Sequence, residues 1–130
     1  PGLAELPALA RRAALAGVKV EVHADDLDDL PTGLDLSAYR IVQEAVTNVV
    51  KHAAPANCRV EVHHAGEQLH IDVVDDGPGG RVLPSAGSGH GLVGMAERVA
   101  MYGGEFSAGP QEPGGFAVSA RIPYPAEVTP

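Results

Sequence analysis

Cysteine, basic residues and long apolar runs are all scarce in this chain of 130 residues. The one cysteine, Cys58, has no partner for an internal disulfide, which points to a reducing compartment. Nine lysines and arginines stand against 17 aspartates and glutamates, a formal net charge of −8. That balance argues against nucleic acid or an anionic membrane as the main partner. No apolar stretch approaches the roughly 18 residues that a membrane-spanning helix needs, and no signal-peptide pattern is read within these residues. The spacings G-x-S-x-G, C-x-x-C and H-x-x-x-H are missing too, so neither a hydrolase nucleophile nor a four-ligand zinc site is indicated. Pro1 is not an initiator methionine, which implies a piece of a longer protein.

The residues that are present describe one globular unit. Apolar types make up 45% and charged types 20%, ordinary globular usage, and a chain of this length buries roughly two thirds of its surface. Residues 3–16 carry Leu3, Leu6, Leu9 and Ala13 at helical spacing, with Gly17 as the expected C-cap. Val18–Ala24 alternates apolar and polar and reads as a half-buried strand. The acidic stretch 25–36 reads as a solvated loop. A helix is expected from Ser37, its N-cap, to Ala53, with Val42, Val46, Val49, Val50 and Ala53 on one stripe. Residues 58–64 and 69–75 alternate and form an expected hairpin, and 91–102 a further helix with Leu92, Met95, Ala96 and Val99 inward. A closing hairpin pairs 105–108 with 116–122. Strand pairs separated by helices predict an α+β fold, a two-layer α/β sandwich whose mixed sheet is covered by helices on one face.

Three groups of residues point to chemistry. Glu44 and Asn48 lie one helical turn apart, with Lys51 and His52 continuing the stripe. Such a stripe fits a solvated helix face. Asn48, however, is a poor mid-helix residue, and its carboxamide oxygen suits a hard cation on a phosphate. Asp75 shares the parity of Leu69, Ile71 and Val73, so either its carboxylate points into apolar surroundings and needs a donor, or the strand frays and both Asp75 and Asp76 cap a turn. Gly77, Gly79, Gly80, Gly87, Gly89, Gly91 and Gly94 cluster ahead of and within the start of a helix, where backbone N–H groups meet anions. Residues 89–94 spell GxGxxG, yet no strand precedes them, so the dinucleotide fingerprint is rejected. His63, His64, His70 and Cys58 could be drawn as a zinc site, but neighbouring positions of a strand face opposite sides, so the histidines read as surface or edge residues of the hairpin.

In order and spacing, YRIVQEAVTNVVKHA (39–53), VVDDGPGG (73–80), GSGHGLVGMAERV (87–99) and GGFAVSARIP (114–123) resemble the boxes of the GHKL nucleotide-binding superfamily. Specifically, they resemble the catalytic ATP-binding domain of bacterial two-component sensor histidine kinases, nearest the nitrate-sensor-like subgroup. The resemblance implies the Bergerat ATP-binding fold over 17–130, with 1–16 left from a linker or dimerisation helix. It implies ATP and Mg²⁺ as ligands, with Asn48 holding the metal through the phosphates and Glu44 as the catalytic acidic residue. Lys51 and His52 would lie near the phosphates. Asp75 would take the adenine amino group, with Gly77 and Gly79 shaping the pocket, and Gly87, Gly89, His90, Gly91 and Leu92 would form the lid and the helix start. It further implies a cytoplasmic, monomeric fragment, free-standing or part of a membrane-anchored sensor. The phosphoryl acceptor would be a histidine on a separate dimerisation domain, with a response regulator reached indirectly. Phe116 stands where much of the superfamily has a threonine, and no phenylalanine-bearing box separates the glycine boxes. An anti-sigma-factor-type serine kinase and a degenerate nucleotide-binding interaction module are the alternatives.

Overall fold

A computed structural model describes residues 2–25, 27, 30–77, 90–112 and 114–124. After a short 3₁₀ turn, Leu3–Glu5, the elements run α1 (Leu6–Leu15), β1 (Val18–Ala24), α2 (Thr32–Ala53), β2 (Ala56–Ala65), β3 (Gln68–Asp75), α3 (His90–Met101), β4 (Glu105–Pro110) and β5 (Phe116–Pro123). The five strands form one sheet in the order β1-β2-β3-β5-β4. β1 runs parallel to β2 because α2 carries the chain back between them, and every other neighbouring pair is antiparallel. The mixed sheet and its helical layer are the α+β sandwich that the strand and helix pattern predicts.

Alternation decides which face is covered. Val60 and Val62 of β2, Leu69, Ile71 and Val73 of β3, and Val118, Ala120 and Ile122 of β5 all turn to one side and are buried. There they meet Ile41, Val42, Ala45, Val46 and Val49 of α2 and Met95 and Val99 of α3 in one continuous core. Leu6, Leu9 and Ala13 of α1 join the same core. Among the described residues no helix is long and apolar enough to cross a membrane.

The long helix starts earlier than its sequence implies. Residues 32–36 are helical rather than loop, and Ser37 lies inside α2 instead of capping it; Pro31 precedes the first turn with no side-chain cap. Two forces extend the helix over the weak formers Thr32 and Gly33. Leu34 prolongs the apolar stripe by one turn and is only 3% exposed, a burial worth about 2 kcal/mol. Asp35, in the favourable first turn, accepts the Leu3 backbone N–H at 2.9 Å and so ties the chain start to the helix.

Candidate functional site

The Glu44–Asn48 pair is held by α2, and its distance from the rest of the chain is set by α3. Both side chains are half-buried. A side-chain carbon at Gly91 would lie 2.8 Å from Glu44 Oε2, with Asn48 Nδ2 at 3.4 Å and Oδ1 at 3.5 Å. Glycine lets the first turn of α3 seat its backbone on this pair without displacing the Glu44 carboxylate. A carboxylate, a carboxamide and the start of a helix converge there, which assembles hard oxygen ligands beside N–H donors. Lys51 and His52 are exposed one turn further along α2. Leu92 packs, half-buried, against the core.

Gly91→Ala separates this seating from folding. Alanine gains about 1 kcal/mol of helix propensity over glycine, and the obstacle is the tip of a flexible glutamate. The variant is expected to melt at or above the wild-type temperature yet bind nucleotide about tenfold more weakly, about 1.4 kcal/mol. Paired thermal melts and nucleotide titrations check it.

The second group sits at the end of β3. Asp75 continues the inward row of Leu69, Ile71 and Val73 and is 5% exposed, the one charged residue buried among those described. β3 does not fray: Asp75 is paired in register with Cys58 on one side and Phe116 on the other. Its carboxylate accepts the Gly77 N–H at 2.8 Å. Burial pushes the Cys58 thiol up to about 12, with the charges of Asp75 and Asp76 adding to it. That thiol is inert at neutral pH, as its lack of any activating motif predicts.

Asp76 faces the other way and acts as a clasp. Its carboxylate accepts the Asn57 backbone N–H at 2.7 Å and the Asn57 side-chain amide at 2.9 Å. Its own N–H returns a bond of 3.1 Å to the Asn57 carbonyl. The Asn57 side-chain bond, then the backbone bond, holds the Asp76 carboxyl below its ordinary value. A depressed folded-state pKa stabilises the fold above the unfolded value, near 3.8, and that stabilisation is lost as pH falls through the folded value. Wild type is therefore expected to melt above Asp76→Ala at pH 7, with the gap narrowing as the pH falls below 3.8 and through the lowered folded-state value. Melts across that range measure it.

Gly115 is a position whose importance the sequence does not reveal. It is buried, its φ is +98°, and a side-chain carbon there would collide with the Asp75 carbonyl. In the sequence it is one letter of the stretch GGFAVSARIP, and the doubled glycine before β5 is its one visible signal. Gly79, Gly87 and Gly89 and the His90 side chain lie outside the described residues. The described chain stops at Gly77, two residues past Asp75, and resumes at His90, where α3 begins against Glu44 and Asn48.

A mixed five-stranded sheet covered by helices on one face defines a class of two-layer sandwich domains. Residues 33–126 match the family of histidine kinase-, DNA gyrase B-, and HSP90-like ATPases, and the chain belongs to it. It is similar to sensor histidine kinase LnrJ of Bacillus subtilis, 33% identical over 108 residues, covering 82% of this chain and 26% of that protein. Sensor histidine kinase YxjM of the same organism is 30% identical over 93 residues, covering 72% of this chain and 22% of that protein. The chain thus spans about a quarter of the length of these relatives. The blue-light activated histidine kinase EL346 of Erythrobacter litoralis superposes with a TM-score of 0.73 at 27% identity, covering 95% of this chain and 42% of that one. The chain is a histidine-kinase-type catalytic ATP-binding domain. Its relatives are sensor histidine kinases, which disfavours the serine-kinase and degenerate-module alternatives.

Proposed function

We propose that the chain binds Mg-ATP between the Glu44–Asn48 face of α2, the start of α3 and the Asp75 end of β3. From there it passes the γ-phosphoryl group to a histidine on a separate dimerisation domain, and residues 1–16 lead toward that domain. The observation that carries the reading is the seating of Gly91 on Glu44 and Asn48, which places a helix N-terminus beside two oxygen-bearing side chains. Asn48 Oδ1 is a hard ligand of the kind magnesium prefers, and the residues present fit that ion. Magnesium, when bound, offsets the charge of the triphosphate.

The chain's own residues divide the remaining work. Asp75 accepts the adenine amino group, which gives its buried carboxylate a further donor, and Gly77 and Gly79 let the purine ring approach the backbone. Asn48, Lys51, His52 and the stretch Gly87, Gly89, His90, Gly91 and Leu92 orient the phosphates. Glu44 polarises the incoming imidazole. Positioning and charge neutralisation supply most of the rate in phosphoryl transfer, so few further catalytic groups are needed. The domain works as a monomer on the cytosolic side, with no direct contact to nucleic acid or lipid, and reaches a response regulator through the phosphorylated histidine.

The test is phosphotransfer from the chain to a separate fragment bearing the dimerisation domain of a related kinase. Glu44→Gln is expected to slow transfer at least about 100-fold, the lower range for loss of a positioned acid–base group, while ATP affinity stays within a few-fold. A folded chain that fails to bind Mg-ATP overturns the proposal.

A further inference from the structure

The uncovered face of the sheet carries the outward row of every strand, and two of its residues form a pair that sequence spacing conceals. His63 on β2 and His70 on β3 stand directly opposite each other in register. Their ring centroids are 5.2 Å apart and their planes inclined by 60°. The other candidates drawn from the hairpin separate from them. Cys58 is buried on the helix-covered side, and His64, of the same parity, stacks its ring on Tyr124. His23 is engaged by Glu21 at 2.7 Å. Among the described residues no group of three or more histidines, cysteines and carboxylates is placed to hold a metal.

We propose that His63 and His70 form a two-imidazole chelate for a divalent transition-metal cation of the zinc class, bridging β2 and β3 on the open face. Two imidazoles bound to one tetrahedral ion through bonds of about 2.0 Å place their ring centres roughly 5 Å apart, the separation already present. The His70 ring is also oriented for the task. Its Nε2 bonds the Gln68 side-chain oxygen at 3.3 Å, which leaves the Nδ1 lone pair for the metal. Ligating histidines are commonly fixed by such a second bond.

The surroundings admit a cation. His63 also lines, with His23, Asp25 and Glu61, an open groove of about 570 Å³ between β1 and β2. In the adjacent row Glu61 faces Asp72. Glu61 is paired with Arg59 at 2.8 Å, and Asp72 with Arg121, the residue in register with His70 on β5, at 3.2 Å. The net charge of −8 favours cation approach. A bare edge-to-face ring pair serves equally well as cross-strand packing, and the experiment separates the two.

Zinc ion alone is titrated calorimetrically into the chain and into His63→Gln, His70→Gln, His23→Gln and His52→Gln, with circular dichroism confirming that each is folded. One zinc per chain with micromolar affinity is expected. Each of the first two substitutions should weaken it by more than tenfold, a loss that even an outer-shell partner can cause, whereas the last two leave it within twofold. On the wild-type chain the imidazole NMR signals of His63 and His70 should shift together at substoichiometric zinc, and the melting temperature should rise with zinc concentration. Unchanged affinity in either His63→Gln or His70→Gln, or no binding by the folded wild type, overturns the site.

Discussion

Asp75→Asn is expected to raise the ATP dissociation constant about 100-fold, roughly 2.7 kcal/mol, the range of a hydrogen bond to a charged group. Asparagine keeps the shape of the side chain, and its carboxamide oxygen still accepts the Gly77 N–H that Asp75 now holds at 2.8 Å. Its NH₂ group, however, is a donor where the proposed adenine amino group would also donate. The melting temperature should therefore move by only a few degrees while affinity collapses. Calorimetric titration of ATP with and without Mg²⁺, beside thermal melts of both proteins, gives the two numbers. A large fall in stability with intact affinity would show that the buried carboxylate serves the fold rather than the ligand.

The second large effect concerns Gly115, and Gly66 supplies its control. Both have left-handed backbone, φ +98° and +62°, but a carbon added at Gly66 meets nothing within 4 Å, whereas at Gly115 it collides with the Asp75 carbonyl. Gly66→Ala should cost only the left-handed penalty, about 1–2 kcal/mol. Gly115→Ala adds overpacking against the β3 backbone, for a total of about 2–5 kcal/mol, or a melting temperature roughly 10 °C lower for a domain of this size. Displacing the end of β3 also moves Asp75, so nucleotide binding should be lost from Gly115→Ala and kept in Gly66→Ala. Equal behaviour of the two variants would mean that the β3 end yields to the added methyl.

The elements and their faces are legible in the sequence because their signals are local. Alternation over 58–64 and 69–75 places Val60, Val62, Ile71 and Val73 on the core side with no knowledge of what covers them. The same parity argument turns Asp75 inward, and the helical stripe through Val42, Val46, Val49 and Ala53 does the same for α2. Turn glycines close the hairpin, and the motif order identifies the family. The N-terminal boundary of α2 was not legible. Thr32 and Gly33 are weak helix formers, and they become helical only because Leu34 finds a core and Asp35 finds the Leu3 N–H.

Tertiary structure decided whatever joins residues far apart in the chain. The last hairpin inserts β5, not β4, beside β3, and this brings Gly115 onto the Asp75 backbone from 40 positions away. The clasp between Asn57 and Asp76, the seating of Gly91 on Glu44 and Asn48, and the meeting of His63 with His70 arise in the same way. Periodicity determines which side of an element a residue occupies, since that depends only on its neighbours in the chain. Which residue it faces depends on register and strand order, and those are set by the packing of the whole core.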